Sequence, residues 1–229
     1  MVTRRARSAV RRSVLFVVAL GLVAVCWELY KAVGPDAGGD IFGWRLIPKT
    51  NDRVMPHTWE MVAEMTRPAI GQGDQQVWLV LLGYSWYTFQ MSVAGLVVGT
   101  AIGVLLAVLM ARFRIVERGL LPYVVLSQTI PLIALAPQVT AIRGSLDWPQ
   151  WTSAVALAAF LSFFPITVST LRGLQAAPAA SLELMASYAA GWWTTLRKLR
   201  FPTAIPYMVP GLKLAATAAV IGVIVTEIT

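Results

Sequence analysis

Between two long apolar runs lies a polar, basic stretch, Glu183 to Pro202 (ELMASYAAGWWTTLRKLRFP), whose residue types suit docking rather than catalysis. Ser181 is expected to cap a helix whose first turn holds Glu183, a carboxylate favoured at the positive end of the helix dipole. Leu184, Met185 and Tyr188 fall at helical spacing and offer one apolar face to a partner's groove. No Ser, His, Asp or Cys constellation suggests a reaction. Cys26 is the one cysteine and His57 the one histidine, which excludes an internal disulfide and leaves no plausible metal set. The chain has no G-x-x-x-x-G-K-[ST] phosphate loop, so nucleotide hydrolysis has no home in it, and no cofactor is expected.

A second group of residues suits the passage of a polar solute. Gln128 and Thr129 stand beside Pro131, and Ser162 and Thr167 flank Pro165. A proline in a buried helix frees backbone groups that only a cavity or a neighbouring helix can satisfy. Polar residues of this kind more often join helices than touch ligands. Glu227, near the outer end of the last apolar run, is a functional candidate because it is ionisable within or near the bilayer. Its other reading is an interfacial residue exposed to water. Glu28 reads as an interfacial anchor beside Trp27 and Tyr30.

The elements that would position these residues are membrane spans. With 57% hydrophobic residues, 13% charged residues and a mean hydropathy of +0.67, 229 residues cannot hide their apolar surface in one soluble core. In this setting a net charge of +8 reports topology rather than nucleic-acid binding.

Taken in order, residues 1–13 form a basic cytoplasmic N-terminus carrying Arg4, Arg5, Arg7, Arg11 and Arg12, and residues 14–33 a first transmembrane helix. A cleaved secretory signal is disfavoured because no A-x-A site precedes Glu28 and Lys31, and a twin-arginine signal around Arg11 and Arg12 is the runner-up. Residues 34–76 turn polar, with Gly34, Pro35, Gly38 and Gly39 as breakers and Asp36 among the acids, and read as an external loop. Within it, residues 55–65 start at Pro56 and place Trp59, Val62 and Ala63 on one stripe of a short surface helix. Residues 77–229 form a core domain with a cytoplasmic loop at 175–204. In its first run, Gly95, Gly99 and Gly103 keep small-x-x-x-small register and predict a close helix contact. Leu120 to Ile142 crosses back, interrupted by Pro122, Pro131 and Pro137. Trp151 to Leu174 and Ile205 to Ile228 complete about five spans, with Pro206 and Pro210 expected in the first turn or two of the last. The fold class is therefore an all-α integral membrane bundle.

The charges test this layout. With the N-terminus inside, the cytoplasmic segments hold the five N-terminal arginines, Arg112, Arg114, Arg118, Arg172, Arg197, Lys198 and Arg200 against Glu117 and Glu183. The outside holds Lys31, Arg45, Lys49, Arg53, Arg67 and Arg143 against seven acids, in keeping with the positive-inside rule.

Several stretches together resemble the permease subunit of bacterial type I ABC importers, in the branch that handles nitrate, sulfonates, taurine and pyrimidine or riboflavin-like precursors. That family's cytoplasmic signature is Glu-Ala-Ala, three residues, Gly, nine residues, Ile-x-Leu-Pro. Laid over it, Glu183 falls on the Glu, Leu199 on the Ile, Phe201 on the Leu and Pro202 on the Pro. Leu184 and Met185 replace the two alanines. Ala189 stands where the family has its glycine, with Gly191 two residues on. A glycine at 189 would permit a φ > 0 turn between two short helices, and Ala189 meets a steric cost there, so the turn is expected to move to Gly191. SQTIPLIALAP at 127–137, FFPITVSTLRGL at 163–174 and PYMVPGLKLAATAAVIGVIVTE at 206–227 are similar to the same branch.

The resemblance implies a multi-pass protein of the bacterial inner (plasma) membrane that forms a solute path. It implies a cytosolic ABC ATPase docked on residues 183–202, a second permease copy in a homodimer or pseudo-dimer, and an external solute-binding protein. Substrate is not specified by this chain. The alternative is a stand-alone secondary transporter or channel, which should show coupling acids or repeated broken helices. An intramembrane enzyme would need His, Asp or Cys clusters that are lacking. The family continues after its fifth span with an outer loop and a sixth helix, whereas this chain ends at Thr229, so a truncated product lacking the sixth span is expected.

Overall fold

The computed structural model describes residues 2–35, 38–41, 44–47, 49–71 and 73–228, with side chains described from residue 11 onward except at 40, 41, 44–47, 132 and 133. Asp36 and Thr229, and the side chains of Arg4, Arg5, Arg7 and Arg45, lie outside that description. The chain divides into two compact units, Met1–Leu82 and Gly83–Thr229.

The first unit is built on α1 (Val2–Val33), which is apolar on all sides from Val14 to Val25 and is exposed there, as a lone span in lipid would be. Its C-terminal end is tied to the loop that follows. The Trp27 indole N–H donates to the Pro56 carbonyl at 3.1 Å, and Lys31 pairs with Asp52 at 2.7 Å. The Thr50 hydroxyl donates to the Gly34 carbonyl at 2.9 Å. Thr58 donates to the Glu28 carboxylate from its backbone N–H (2.8 Å) and its hydroxyl (2.9 Å), while the His57 ring nitrogen Nδ1 lies 2.8 Å from the same carboxylate. Glu28, read from the sequence as an interfacial anchor, here caps α2 (Thr58–Met65) from another helix. The loop also holds an antiparallel hairpin, β1 (Gly39–Ile41) with β2 (Trp44–Ile47), pairing Ile41 with Trp44 and Asp40 with Arg45. The breakers predict only an irregular connector there, whereas β-branched and aromatic residues pair across it.

In the second unit α3 (Val77–Arg112, which begins in the first unit) is followed by α4 (Arg114–Leu126), a 3₁₀ turn at Ser127–Thr129, α5 (Leu132–Ser145) and α6 (Trp151–Gln175). Then come α7 (Ala179–Ser187), α8 (Trp192–Thr195), a π turn at Leu196–Arg200 and α9 (Phe201–Ile228). Arg11–Val33, Val77–Arg112, Trp151–Gln175 and Trp192–Ile228 are long and apolar enough to cross a membrane. Arg114–Thr129 with Ala134–Ser145 makes a fifth if that pair, bent by 103°, is one broken span. The protein is thus a nearly all-helical membrane bundle. The break falls where Pro131 forces it. Ile130, ahead of the proline, is extended (φ −73°, ψ 124°), as is Pro131 itself (φ −60°, ψ 121°), so α5 restarts beyond them.

The bundle closes on α6. Gly95, Gly99 and Gly103 are all buried, and a Cβ at Gly99 would come within 2.7 Å of the Ala159 carbonyl oxygen, one at Gly103 within 2.8 Å of that of Phe163. The glycine register therefore does make a close contact, backbone against backbone. On its other side α6 meets α9 in the same way: a Cβ at Gly222 would lie 2.9 Å from the Ala158 Cα, and one at Gly173 2.8 Å from the Ala204 Cα.

The last span starts earlier than its apolar run suggests. The helix is continuous from Trp192 through the π turn, so Pro206 and Pro210 lie several turns inside it rather than in its first turn or two. Pro202 has no N–H to give the Lys198 carbonyl and its ring crowds that group. The π turn directly before it widens the helix, with the Phe201 N–H reaching the Leu196 carbonyl.

Candidate functional site

The polar stretch of 183–202 folds as two short helices, α7 and α8, set at an angle by a sharp turn. α7 starts earlier than expected. Its N-cap is Pro178, whose carbonyl accepts from the N–H groups of Ser181 (3.1 Å) and Leu182 (3.1 Å). Ser181 is therefore inside the helix and is no cap, and Glu183 stands beyond the first turn. Ala179 and Ala180, strong helix formers, carry the helix back to the proline.

The turn does not move to Gly191. Ala189 itself takes φ +50°, while Gly191 is extended (φ −63°, ψ 163°) and caps α8. The Ala189 N–H donates to the Ala186 carbonyl at 2.9 Å and the Ala190 N–H to the Met185 carbonyl at 3.0 Å. This 5→2 and 6→1 pair is the Schellman end of a helix, which needs a left-handed residue at the position of Ala189. Two hydrogen bonds outweigh the methyl's steric cost of about 1–2 kcal/mol.

The two halves of this connector face different ways. Glu183, Leu184 (56% exposed) and Tyr188 (76% exposed) of α7 and Trp193 (67% exposed) of α8 are open, and Met185 is half-buried. Leu196 is buried in an apolar cluster with Ala107 and Met110 of α3, Leu171 and Leu174 of α6 and Ala204 of α9; Trp192 packs against the same cluster. Leu199 is half-buried and Pro202 exposed. Close by, the Gln175 amide at the end of α6 donates to Glu117 of α4 at 2.8 Å. Sequence reasoning missed Trp192, Leu196 and Arg112. The tryptophan pair at 192–193 amid basic residues was the available signal.

The residues expected along a solute path do not share one surroundings. Ser162 is fully buried, its hydroxyl 2.7 Å from the Ala158 carbonyl and 3.2 Å from that of Ala215 on α9. Thr167 is also fully buried and donates to the Phe163 carbonyl at 2.6 Å. Gln128 and Thr129 are exposed at the 3₁₀ turn before the break, and Thr129 donates to the Leu126 carbonyl at 2.8 Å. Glu227 is exposed and accepts from the Thr88 hydroxyl of α3, with its two oxygens at 2.7 and 3.0 Å.

The connector, the broken span and the α3–α6–α9 packing from Gly99 onward fall within a region that matches a known family. The family model for the binding-protein-dependent transport system inner membrane component covers residues 99–229. The chain belongs to this family. Among its relatives, the formylaminopyrimidine transport permease protein ThiX of Halalkalibacterium halodurans is 39% identical over 133 residues, 58% of this chain and 52% of that protein. The riboflavin transport system permease protein RibX of Chloroflexus aurantiacus is 34% identical over 116 residues, 49% of this chain and 42% of that one. The chain thus spans about half the length of the curated relatives it matches. A crystal structure of an amino acid ABC transporter with histidines superposes with a TM-score of 0.52 at 18% identity, covering 66% of this chain and 75% of that one, which shows a shared fold. These inner membrane components are transport permeases, and the chain is a multi-pass member of the family.

Proposed function

We propose that this chain is the membrane-spanning subunit of a bacterial ABC importer and that residues 183–202, within the loop 175–204, are where a separate cytosolic ATPase grips it. One observation carries the reading. α7 holds Leu184 and Tyr188 one helical turn apart and open to solvent, while the next helix sinks Leu196 into the ends of three membrane helices. An exposed apolar pair on a short rigid helix fits a partner's groove. Glu183, Leu184, Met185 and Tyr188 make the docking face. Ala189 and Gly191 set the angle between the helices. Leu199 and Pro202 join the connector to the last span.

On this reading the chain lies in the inner (plasma) membrane, with residues 1–13 in the cytosol, 14–33 as a first span, 34–76 outside and 77–229 as the core. A second permease copy, most simply a homodimer, and an external solute-binding protein complete the importer. Gln128 and Thr129 at the broken span and Glu227 on α9 are the candidates to border the path, with Ser162 and Thr167 of α6 supporting the helix packing around it. Two relatives carry names of pyrimidine and flavin transport, which favours a small heteroaromatic precursor over a small anion as the solute.

The test is a search of the neighbouring genes for a phosphate-loop ATPase and co-purification of its product with this chain. Glu183→Lys should leave insertion intact, with the ATPase lost or its hydrolysis uncoupled from uptake. Survival of both transport and co-purification in Glu183→Lys and in Gly191→Pro would refute the coupling role.

A further inference from the structure

We infer that Arg112 and Trp192 form a pin that makes α8 and the inner end of α3 move as one body; the inference rests on the coupling reading above and deepens it. The connector is joined by the chain itself to α6, which precedes it, and to α9, which follows it. α3 has no such link, because α4, α5 and α6 intervene in sequence. A displacement of the connector reaches α3 indirectly, through α6 and α9 packed on it, or directly, through side chains of α8.

The side chains that make this link are on two layers. Arg112, the last residue of α3, holds its guanidinium carbon 5.2 Å from the centre of the Trp192 ring and 5.4 Å from that of Phe113. Among the described residues no carboxylate pairs with Arg112, so aromatic faces alone position its charge. Trp192 is in turn held edge-on to Trp193, with ring centres 4.8 Å apart and planes at 82°. One helical turn deeper, Leu196 is buried among Ala107 and Met110 of α3 and Leu171, Leu174 and Ala204 of the other two helices. Trp192 and Leu196 are four residues apart and share a face, so α8 and its π turn present one stripe to α3.

α7 has no buried residue and meets α8 through the Ala189–Gly191 turn. The division of labour follows: α7 is gripped and α8 transmits. Lysine cannot replace Arg112 fully, because a flat guanidinium stacks on an indole face and a compact ammonium does not.

The experiment uses the full chain with its ATPase in lipid nanodiscs, Cys26 replaced by serine, and spin labels at Leu109 on α3 and Thr194 on α8, both exposed. Pulsed electron–electron resonance is recorded without nucleotide and with ATP and vanadate. The unsubstituted chain should give a narrow intra-chain distance that nucleotide does not shift, set apart from the longer distances between two copies by dilution with unlabelled chain. Arg112→Gln and Trp192→Leu should broaden it and make it shift with nucleotide, while Trp192→Phe should behave as the unsubstituted chain. Arg112 is exposed, so Arg112→Gln is the variant that keeps the fold if Trp192→Leu does not insert. A narrow, nucleotide-independent distance in Arg112→Gln overturns the pin while leaving the coupling reading intact. Failure of the ATPase to co-purify with the unsubstituted chain removes the coupling reading, and the pin with it.

Discussion

The Ala190 N–H donates to the Met185 carbonyl at 3.0 Å, and this bond across the end of α7 holds the intervening Ala189 at φ +50°. The proposed docking helix thus ends on a left-handed alanine. The angle at which α7 projects is set by backbone hydrogen bonds, with the methyl of Ala189 opposing them.

Ala189→Gly should therefore stabilise the chain. Removing the methyl relieves the left-handed strain, offset in part by the greater freedom of glycine in the unfolded chain, for a net gain of about 1 kcal/mol. Thermal unfolding in detergent measures it. Ala189→Val, with a β-branched side chain in the same conformation, should be destabilised.

The helix contact at Gly99 should be intolerant of bulk. A Cβ there would stand 2.7 Å from the Ala159 carbonyl oxygen, so Gly99→Leu should push α3 off α6 at a cost of about 1–3 kcal/mol. Gly83→Ala, where a Cβ meets open space, should be neutral or gain up to about 1 kcal/mol of helix stability. Equal loss in the two variants, by thermal unfolding, would contradict the packing account.

Thr88 and Glu227, 139 residues apart, join α3 to α9. Thr88→Val and Glu227→Gln in a double-mutant cycle should show a coupling energy of about 1 kcal/mol, since Glu227 is exposed, Thr88 is only half-buried and the bond is charge-assisted. Strict additivity would mean that the two do not interact in the membrane.

Lys31 holds the Asp52 carboxyl below its usual value, by hydrogen bond and then by charge. A depressed carboxyl supports the fold above its unfolded value and loses that support as pH falls through its folded one. The Lys31–Asp52 tie should thus be intact throughout the neutral range and open in acid, below the ordinary carboxylate range. Lys31→Met should return Asp52 to the ordinary carboxylate range, read by NMR titration of its carboxyl carbon.

The sequence was most legible where one residue type has one physical reason to be present. The glycines at 95, 99 and 103 could only mean close approach, whereas of the three prolines expected to interrupt the run from Leu120 to Ile142 only Pro131 does so, and Pro122 and Pro137 lie inside α4 and α5. Long-range partners were not legible. Nothing local shows that the Glu28 carboxylate caps a helix that starts at Thr58, or that the end of α1 is tied to the loop through Pro56, Asp52 and Thr50 as well. The hairpin was hidden because its strands sit among glycines that read as loop. The error at Ala189 came from weighing a side-chain cost without the two backbone bonds that offset it, and Arg112 with Trp192 became visible only once α3 and α8 lay side by side.

The most direct measurement of the central claim is photocrosslinking in cells from a benzoylphenylalanine at Tyr188, which is 76% exposed on α7, compared with one at Val62, which is 67% exposed on α2. The account predicts an adduct with a phosphate-loop ATPase from position 188 and none from position 62. An ATPase that co-purifies with the chain yet forms no adduct from Tyr188 or from Trp193 would contradict it.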